Sequence, residues 1–269
     1  MDKADGTPLL NIQFSPATAI ATAADQLTYD LAAKAYTGKP QGVSVTPKAG
    51  VGKVTAVYYN GSQAVPTNAG TYAVTVDVAL GARYLAASGL PLGSFTINKA
   101  NLSTATATIA DTPWTGSQIK PALKAFTLSG RSFPISSNAS VAYGANKNIG
   151  KGTITLTGKG NFTGTKTITF NIVPKANKVS KITAGKKQMK VTWSKVSSAQ
   201  KITKYQVRYR VKGTTAWKTK TYAASKASAA IKSLKKGKAY QVQVRSYKTV
   251  SKVNFYSAWS PVKTGKKIK

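Results

Sequence analysis

The chain has 269 residues, with 40 Lys and Arg against six acidic residues, all of them Asp, and with no Cys or His. Because 42% of the residues are hydrophobic, the chain can build a packed core, which excludes a disordered polycation. The lack of Cys excludes disulfides, thiolate nucleophiles and sulfur-ligated metals, and the lack of His and Glu removes most side chains that serve acid–base catalysis. The length allows one to three domains, each large enough for its own core.

The N-terminal region carries no targeting signal that we recognise. Residues 1–20 lack the charged start and long apolar run of a signal peptide. We therefore expect the chain to be part of a longer secreted protein that is targeted by a signal elsewhere, with residues 1–23 as a linker or leading strand. Residues 21–35 are rich in Ala, and Leu27 and Leu31 lie four apart, which favours a helix; the Thr-Tyr-Asp at the centre favours a strand equally.

Strand-like alternation runs through most of the chain. β-Branched and aromatic residues recur with a period near two, and Gly, Asn and Pro interrupt them at short intervals. The clearest runs are 54–59, 71–76, 152–157 and 167–172. Many short strands separated by such turns predict an all-β protein made of sandwiches. No stretch approaches the roughly 20 apolar residues of a membrane helix, so we expect no membrane insertion.

An internal repeat of about 75 residues follows the leading segment. Each copy opens with an aromatic-Thr-Gly segment, continues to an Asn-x-Gly turn and closes on a Phe just before a Lys-Ala pair. The opening aromatic residues lie 78 residues apart and the closing Phe residues lie 75 apart. These segments are Tyr36-Thr37-Gly38, Asn68-Ala69-Gly70 and Phe95 in the first copy, and Trp114-Thr115-Gly116, Asn148-Ile149-Gly150 and Phe170 in the second.

This pattern resembles the bacterial Ig-like and MBG-type repeats that occur in tandem in large cell-surface proteins. The resemblance implies one Ig-like/MBG-type sandwich over residues 24–100 and a second Ig-like repeat over residues 101–176. The segment 158–164, Gly-Lys-Gly-Asn-Phe-Thr-Gly, strengthens the match of the second copy. The first copy differs at this point, with Leu-Gly-Ala-Arg-Tyr over residues 80–84, so its last hairpin is less well defined.

Residues 177–269 follow a different pattern. Trp193 ends an early strand, residues 205–211 alternate cleanly, and Leu234 and Tyr240 belong to a Leu-x-x-Gly-x-x-Tyr-x-Val-x-Val run. This order of elements resembles a fibronectin type III module. The resemblance implies that Trp193 lies in the core and that the Tyr240 hydroxyl bonds to an upstream main-chain group. The chain has no Arg-Gly-Asp tripeptide, so no integrin site is implied. The predicted fold is thus three tandem small β-sandwich modules.

Positive charge is concentrated in this last module. Residues 1–99 hold seven Lys and Arg and five Asp, and residues 100–176 hold eight Lys and Arg and one Asp. Residues 177–269 hold 25 Lys and Arg and no acidic residue. Self-repulsion of this kind works against folding, which favours a partner that neutralises it. Lys predominates, and as a hydrated point charge it suits diffuse adhesion to an anionic polymer. The candidate residues are Lys186, Lys187, Lys190, Arg208, Arg210, Lys218, Lys220, Lys235, Lys236, Lys238, Lys266 and Lys267.

The lysines and the aromatic residues of the last module also have a purely structural interpretation. Lysines can simply cover the outer faces of a sandwich and keep it soluble, although this does not explain the absence of Asp and Glu. Arg208 and Arg210 alternate with Tyr209 and suggest a more ordered stripe. Trp217 and Trp259 are either exposed platforms for sugar stacking or, as we expect, partly buried rings covered by Lys stems.

Catalytic, cofactor and metal sites are not predicted. Without His or Glu there is no Ser-His-Asp arrangement, and Ser194 with Lys195 lies on a predicted strand. Asp25 and Asp30 lie five residues apart in a repeat whose resemblance offers no cleft, and no run of acids suits calcium. A Lys–Asn isopeptide bond, as found in some surface Ig-like modules, needs an assisting acid such as Asp77 or Asp111, and the sequence singles out neither.

We therefore expect a non-enzymatic, structural and adhesive segment of a bacterial surface or secreted protein, located at the cell surface or in the cell wall. The two repeats would act as spacers of monomeric modules, and the basic module would bind anionic wall polymers such as teichoic acids. One alternative is the accessory C-terminal tail of a large secreted polysaccharide-active enzyme. Another is an adhesin for heparin-like glycans or extracellular DNA, bound without sequence specificity.

Overall fold

The computed structural model describes residues 22–269, so most of the predicted leading segment 1–23 lies outside the described residues. The described part is almost entirely β-structure, which confirms the predicted all-β class. Its helices are single turns, α1 (Ala23–Gln26) and α2 (Ile135–Asn138), with 3-10 turns at Leu102–Thr104 and Ser198–Gln200. None of the helices in residues 22–269 is long and apolar enough to span a membrane.

The first repeat is built on an antiparallel meander. Its strands are β1 (Leu27–Tyr29), β2 (Lys34–Ala35), β3 (Val45–Pro47), β4 (Val54–Tyr59), β5 (Gly70–Val78), β6 (Ala87–Asn98) and β7 (Ala100–Asn101). The sheet order is β2-β6-β5-β4, and β1 pairs with β3. Alternate residues of β5 and β6, such as Val74, Val76, Phe95 and Ile97, are buried, because one face of the sheet packs on the core. The stretch predicted as either helix or strand contains both, since α1 leads directly into β1.

The second repeat has a similar central hairpin. Its strands are β8 (Thr112–Pro113), β9 (Ala125–Leu128), β10 (Arg131–Pro134), β11 (Ala139–Tyr143), β12 (Gly150–Gly158), β13 (Phe162–Thr163) and β14 (Thr165–Val173). The main sheet has the order β11-β12-β14-β8, and β9 pairs with β10. Ile154 and Leu156 of β12 and Phe170 and Ile172 of β14 alternate into the core.

The chain divides into two compact units, and the first is discontinuous in sequence. Among the described residues it comprises 22–101 and Lys159–Thr163, the tip that connects β12 to β14. Strand β13 pairs in parallel with β7, and the Ala69 N–H donates to Asn161 Oδ1 at 2.7 Å. Phe162 is only 1% exposed and meets the Tyr36 ring edge-on, with centroids 5.3 Å apart. A motif of the second repeat therefore supplies a buried aromatic residue to the first unit.

The second unit comprises Leu102–Gly158 and Gly164–Lys269 and includes the basic module. The strands of this module are β15 (Val179–Gly185), β16 (Gln188–Trp193), β17 (Lys204–Val211), β18 (Lys218–Ala223), β19 (Ser228–Lys232), β20 (Tyr240–Val250), β21 (Val253–Tyr256) and β22 (Lys263–Thr264). One sheet has the order β15-β16-β19 and the other β18-β17-β20-β21, with β22 also on β20. The two sheets enclose a core that includes Trp193, Tyr205 and Val244.

Two structural residues of the basic module occupy the places that the sequence predicts. Trp193 is 2% exposed and packs against Tyr205, with ring centroids 5.6 Å apart. The Tyr240 hydroxyl accepts a hydrogen bond from the Lys235 N–H at 3.0 Å, which is the predicted tie to an upstream main-chain group. Where the module begins, the Lys175 N–H donates to the side-chain oxygen of the buried Gln200 at 2.7 Å.

Candidate anion-binding surface

Three segments that are distant in sequence meet at one end of the basic module. They are the β15–β16 turn, the β19–β20 loop and the C-terminal segment that follows β22. The Lys187 N–H donates to the main-chain oxygen of Lys269 at 3.0 Å, and the Lys269 N–H donates to the Gly185 carbonyl at 3.1 Å. The Leu234 N–H donates to the Lys187 carbonyl at 3.0 Å. Main-chain pairing, which is insensitive to side-chain charge, thus holds three basic segments together.

The C-terminal segment is anchored by an apolar side chain. Ile268 is 3% exposed and belongs to the core of the module. Its N–H donates to the Lys238 carbonyl at 2.9 Å, and its carbonyl accepts from the Gly237 N–H at 2.8 Å. Because burying Ile268 fixes this segment, the lysines on either side of it are held at the surface in a defined place.

We call this end of the module the lysine pole. It consists of exposed lysines only: Lys186, Lys187, Lys235, Lys236, Lys238, Lys266, Lys267 and Lys269. Residues 177–269 contain no Asp or Glu, so no acidic side chain of the module neutralises the pole. The fold therefore brings together candidate anion-binding lysines that come from the beginning, the middle and the end of the module's sequence.

The other predicted lysines lie outside the pole. Lys190 is exposed on β16, between Thr183 and Ala230 of the neighbouring strands. Lys218 and Lys220 are exposed on the edge strand β18 and pair with β17 alone. These three residues add to the positive surface of the module without joining the cluster.

Arg208 and Arg210 lie in a separate structure, which we call the arginine–aromatic ladder. In it, guanidinium groups and aromatic rings alternate along the outer face of the β17–β20 sheet. The distances from guanidinium carbon to ring centroid are 4.3 Å for Arg210–Trp217, 4.6 Å for Trp217–Arg208, 4.3 Å for Arg208–Trp259, 4.4 Å for Trp259–Arg245 and 3.9 Å for Arg245–Tyr256. Distances of this size place every cation over a ring face.

Each arginine of the ladder also bonds to the glutamine directly opposite it on the neighbouring strand. Arg208 donates from Nε and Nη2 to Gln243 Oε1, at 2.9 and 2.6 Å. The other two pairs are Arg210 with Gln241 and Arg245 with Gln206, each through Nε at 2.8 Å. Burial lowers the pKa of Arg208, and the charge of Arg210 lowers it further. Burial also lowers the pKa of Arg245, where Tyr256 acts in the opposite direction and Arg208 adds to the lowering.

The segment that carries Trp259 is held to β20 by serine hydroxyls. The Ser246 N–H donates to Ser257 Oγ and the Val244 N–H donates to Ser260 Oγ, both at 3.0 Å. The Ser257 N–H donates to the Ser246 carbonyl at 2.9 Å and the Ser260 N–H to the Val244 carbonyl at 2.8 Å, so hydroxyl and main-chain bonds together fix the position of Trp259 over the sheet.

The expectation that Lys stems cover Trp217 and Trp259 is wrong in the identity of the cation. Both rings are partly buried, as predicted, but arginine guanidinium groups cover them. No pattern in the sequence singles out Arg245 or Tyr256, because their strands, β20 and β21, lie far along the chain from β17. The alternation of Arg208 with Arg210 was the one available signal.

A Lys, an Asn and an Asp also come together in the second repeat. Lys151 Nζ donates to Asn171 Oδ1 at 2.8 Å, and Asn171 Nδ2 donates to Asp111 Oδ1 at 2.9 Å. Of the two acids considered for an isopeptide bond, Asp111 therefore contacts such a pair. Asp77 instead accepts hydrogen bonds from the Tyr58 hydroxyl and the Gly89 N–H. Lys151 and Asp111 are both exposed, so this cluster lies at the surface of the repeat and not in its apolar core.

Comparison with known proteins identifies two of the modules. The family model of the MBG domain matches residues 26–101, and that of the fibronectin type III domain matches residues 174–263. No curated protein matches the chain. Among solved structures, one titled "Myokine structure" is 15% identical and covers 35% of this chain and 99% of its own, with a TM-score of 0.30.

The two family-model matches confirm the predicted MBG-type module followed, towards the C-terminus, by a fibronectin type III module. Both are non-catalytic module types that are typical of extracellular or surface proteins. The chain therefore carries an MBG domain and a C-terminal fibronectin type III domain, the second of which bears the lysine pole and the arginine–aromatic ladder.

Proposed function

We propose that this chain is a non-enzymatic, adhesive segment of a bacterial surface or secreted protein, and that its fibronectin type III domain binds anionic cell-wall polymers through the lysine pole. The observation that supports this most directly is the convergence of eight exposed lysines from three separate segments in a domain without Asp or Glu. The remaining modules would act as spacers that carry this domain.

The chemistry of the pole favours a polymer over a small anion. Lysine amines on flexible stems lack the rigid fork that recognises one phosphate or carboxylate in two places. They instead interact with a row of charges and release the counterions condensed on a polyanion, so binding weakens steeply with salt. Arginine would be the better residue for a single defined anion, and the three arginines of the domain belong to the ladder.

The position of the charges can be tested separately from their number. In the pole variant, Lys186, Lys235, Lys236 and Lys266 are replaced by Gln. In the control variant, Lys178, Lys195, Lys204 and Lys226, which are exposed at the opposite end of the same domain, are replaced by Gln. Both variants lose four charges. Binding of the full chain to purified cell walls at about 0.1 M salt, where the screening length is about 10 Å, is then compared.

We expect the pole variant to lose at least tenfold in affinity and the control variant only a few fold. Equal losses would show that net charge alone drives binding and would contradict a localised site. The proposal would also fail if the parent chain did not bind at low salt or if binding persisted at about 1 M salt, where the screening length is about 3 Å. Teichoic acid, heparin and DNA compared at matched ionic strength identify the preferred polymer, and preference for heparin or DNA would contradict a wall ligand.

A further inference from the structure

A cavity of about 350 Å³ opens beside the lysine pole in the fibronectin type III domain. It lies between the loop that joins β17 to β18 and the loop that joins β19 to β20. Tyr209, Leu234 and Tyr240 contribute to its lining and are 8%, 6% and 6% exposed. Two aromatic residues and a leucine therefore give the cavity an apolar floor.

The same cavity has cations in its wall. Lys218 and Lys235 line it with exposed side chains, and Arg210 lines it from the end of the arginine–aromatic ladder. Arg210 donates from Nε to Gln241 Oε1 and from Nη1 to the Thr215 carbonyl. Its guanidinium lies over Trp217 on the outer face of the sheet, whereas the neighbouring Tyr209 belongs to the core, so the cations that the cavity offers to a ligand are Lys218 and Lys235.

This combination specifies the chemistry of a ligand. A free phosphate would engage the cations but would make no use of an apolar floor. A neutral sugar would pack its CH face on the floor but would leave Lys218 and Lys235 without a counter-charge, and this domain has no Asp or Glu to supply one. An anionic sugar satisfies both parts of the cavity, and cavities of this size suit small ligands.

We propose that the cavity binds one sugar residue carrying a phosphate or carboxylate substituent, with the ring over Tyr209, Leu234 and Tyr240 and the anionic group near Lys218 and Lys235. This inference rests on the proposed function, since the cavity would hold one unit of the polymer that the lysine pole attracts. The pole supplies long-range attraction, and the cavity supplies preference for polymers whose repeating unit contains such a sugar.

The test is an NMR titration of the full chain labelled with 15N. Three probes are used at matched ionic strength: glucose 6-phosphate, glucose and inorganic phosphate. We expect glucose 6-phosphate to shift the amide signals of Ala216, Leu234 and Lys235 in a saturable way, while the other two probes shift them at least fivefold less at equal concentration. The amide signals around Lys226, at the far end of the domain, should not move.

A variant that fills the cavity without changing charge gives the second readout. Ala216 is exposed at the cavity and Ala223 is exposed at the far end of β18, so Ala216→Phe is paired with Ala223→Phe as the control. We expect Ala216→Phe to abolish the sugar-phosphate shifts and to weaken binding of a glycosylated anionic polymer several fold, while Ala223→Phe changes neither.

The outcomes separate this inference from the proposed function. Equal shifts with inorganic phosphate would overturn the sugar ligand, because the cavity would then respond to charge alone. Absence of shifts at Ala216 and Leu234, with pole-dependent polymer binding intact, would overturn the cavity and leave the proposed function standing. If the parent chain bound neither the sugar phosphate nor the polymer, both the cavity inference and the proposed function would be overturned.

Discussion

Arg208 donates two hydrogen bonds to the side-chain oxygen of Gln243, the residue directly opposite it on the neighbouring strand. The same guanidinium lies between the rings of Trp217 and Trp259. Arg208, which its alternation with Tyr209 and Arg210 makes a candidate for ligand binding, therefore directs its hydrogen bonds and ring contacts to residues of its own domain. The ladder supports a sheet face on which the charges of three arginines would otherwise repel one another.

Replacing Arg208 with Lys tests the structural role of the ladder. The variant keeps the positive charge but loses the paired hydrogen bonds to Gln243 and the planar contact with two rings. We expect the free energy of unfolding of the second unit to fall by about 1–3 kcal/mol, from charge-assisted hydrogen bonds and cation–π contacts together. Urea titration followed by tryptophan fluorescence measures this. Lys226→Gln, at an exposed site, is the control, and an equal effect of the two changes would contradict the role.

Two tyrosines of the same core should respond in opposite ways when the hydroxyl is removed. Tyr240→Phe leaves the Lys235 N–H without its acceptor, so we expect a loss of about 0.5–1.5 kcal/mol. The Tyr222 hydroxyl is buried without a hydrogen-bond partner in the described residues, so Tyr222→Phe should be neutral or stabilising. The measurement is the urea midpoint of each variant. A destabilised Tyr222→Phe would show that this hydroxyl has a partner after all.

Acid should weaken the first unit through Asp77. Hydrogen bonds from the Tyr58 hydroxyl and the Gly89 N–H lower the pKa of this carboxyl below its usual value near 4, against a smaller effect of desolvation. Since the pKa is lower in the folded chain, the stabilisation is fully present above about pH 4 and is lost as the pH falls through the folded pKa. Asp77→Asn should therefore flatten the acid dependence of stability.

Urea titrations at about pH 6 and about pH 3, followed by NMR signals of β4 and β5, measure the acid dependence of the first unit over the range in which carboxyl groups titrate. Asp30→Asn, which removes an exposed carboxylate on the same unit, is the matched control. An Asp77→Asn variant with the same loss of stability on acidification as the parent would contradict the assignment to Asp77.

The mass of the intact chain tests the Lys151–Asn171–Asp111 cluster. Bond formation between Lys151 and Asn171 would release one ammonia, but the cluster is exposed to water and is not enclosed in an apolar core. We expect the measured mass to equal that of the unmodified sequence. A deficit of one ammonia that disappears in Lys151→Arg would establish the bond and contradict this prediction.

The sequence predicts features that depend on contacts between residues close together in the chain. It does not predict features that depend on how distant strands pair. Trp193 and Tyr240 are predicted correctly because they belong to short runs whose spacing defines their place. Each lysine cluster is also visible, but their convergence depends on main-chain bonds such as Lys187 to Lys269. The ladder depends on the pairing of β17 with β20, and no local signal couples Arg208 to Trp259.

Phe162 gives the sharpest example of a non-local contact. Phe162→Ala should destabilise the first unit by about 3–5 kcal/mol, because it removes a buried aromatic side chain and leaves a cavity beside Tyr36. Hydrogen exchange of the β5 and β6 amides measures this. Thr163→Ala, at an exposed neighbouring residue, is the control. Loss of protection confined to β12 and β14 would contradict the assignment of Phe162 to the first unit.

The discontinuity of the first unit also constrains the order in which the chain folds during synthesis. A ribosome that has made residues up to Asn101 has not yet made Lys159–Thr163, so the unit lacks β13 and Phe162 at that point. Translation at about 5–20 residues per second delays these residues by several seconds. During this interval β7 lacks its pairing with β13, and Tyr36 lacks its contact with Phe162. A nascent chain stalled before Phe162 would therefore be more sensitive to protease than one stalled well beyond Thr163.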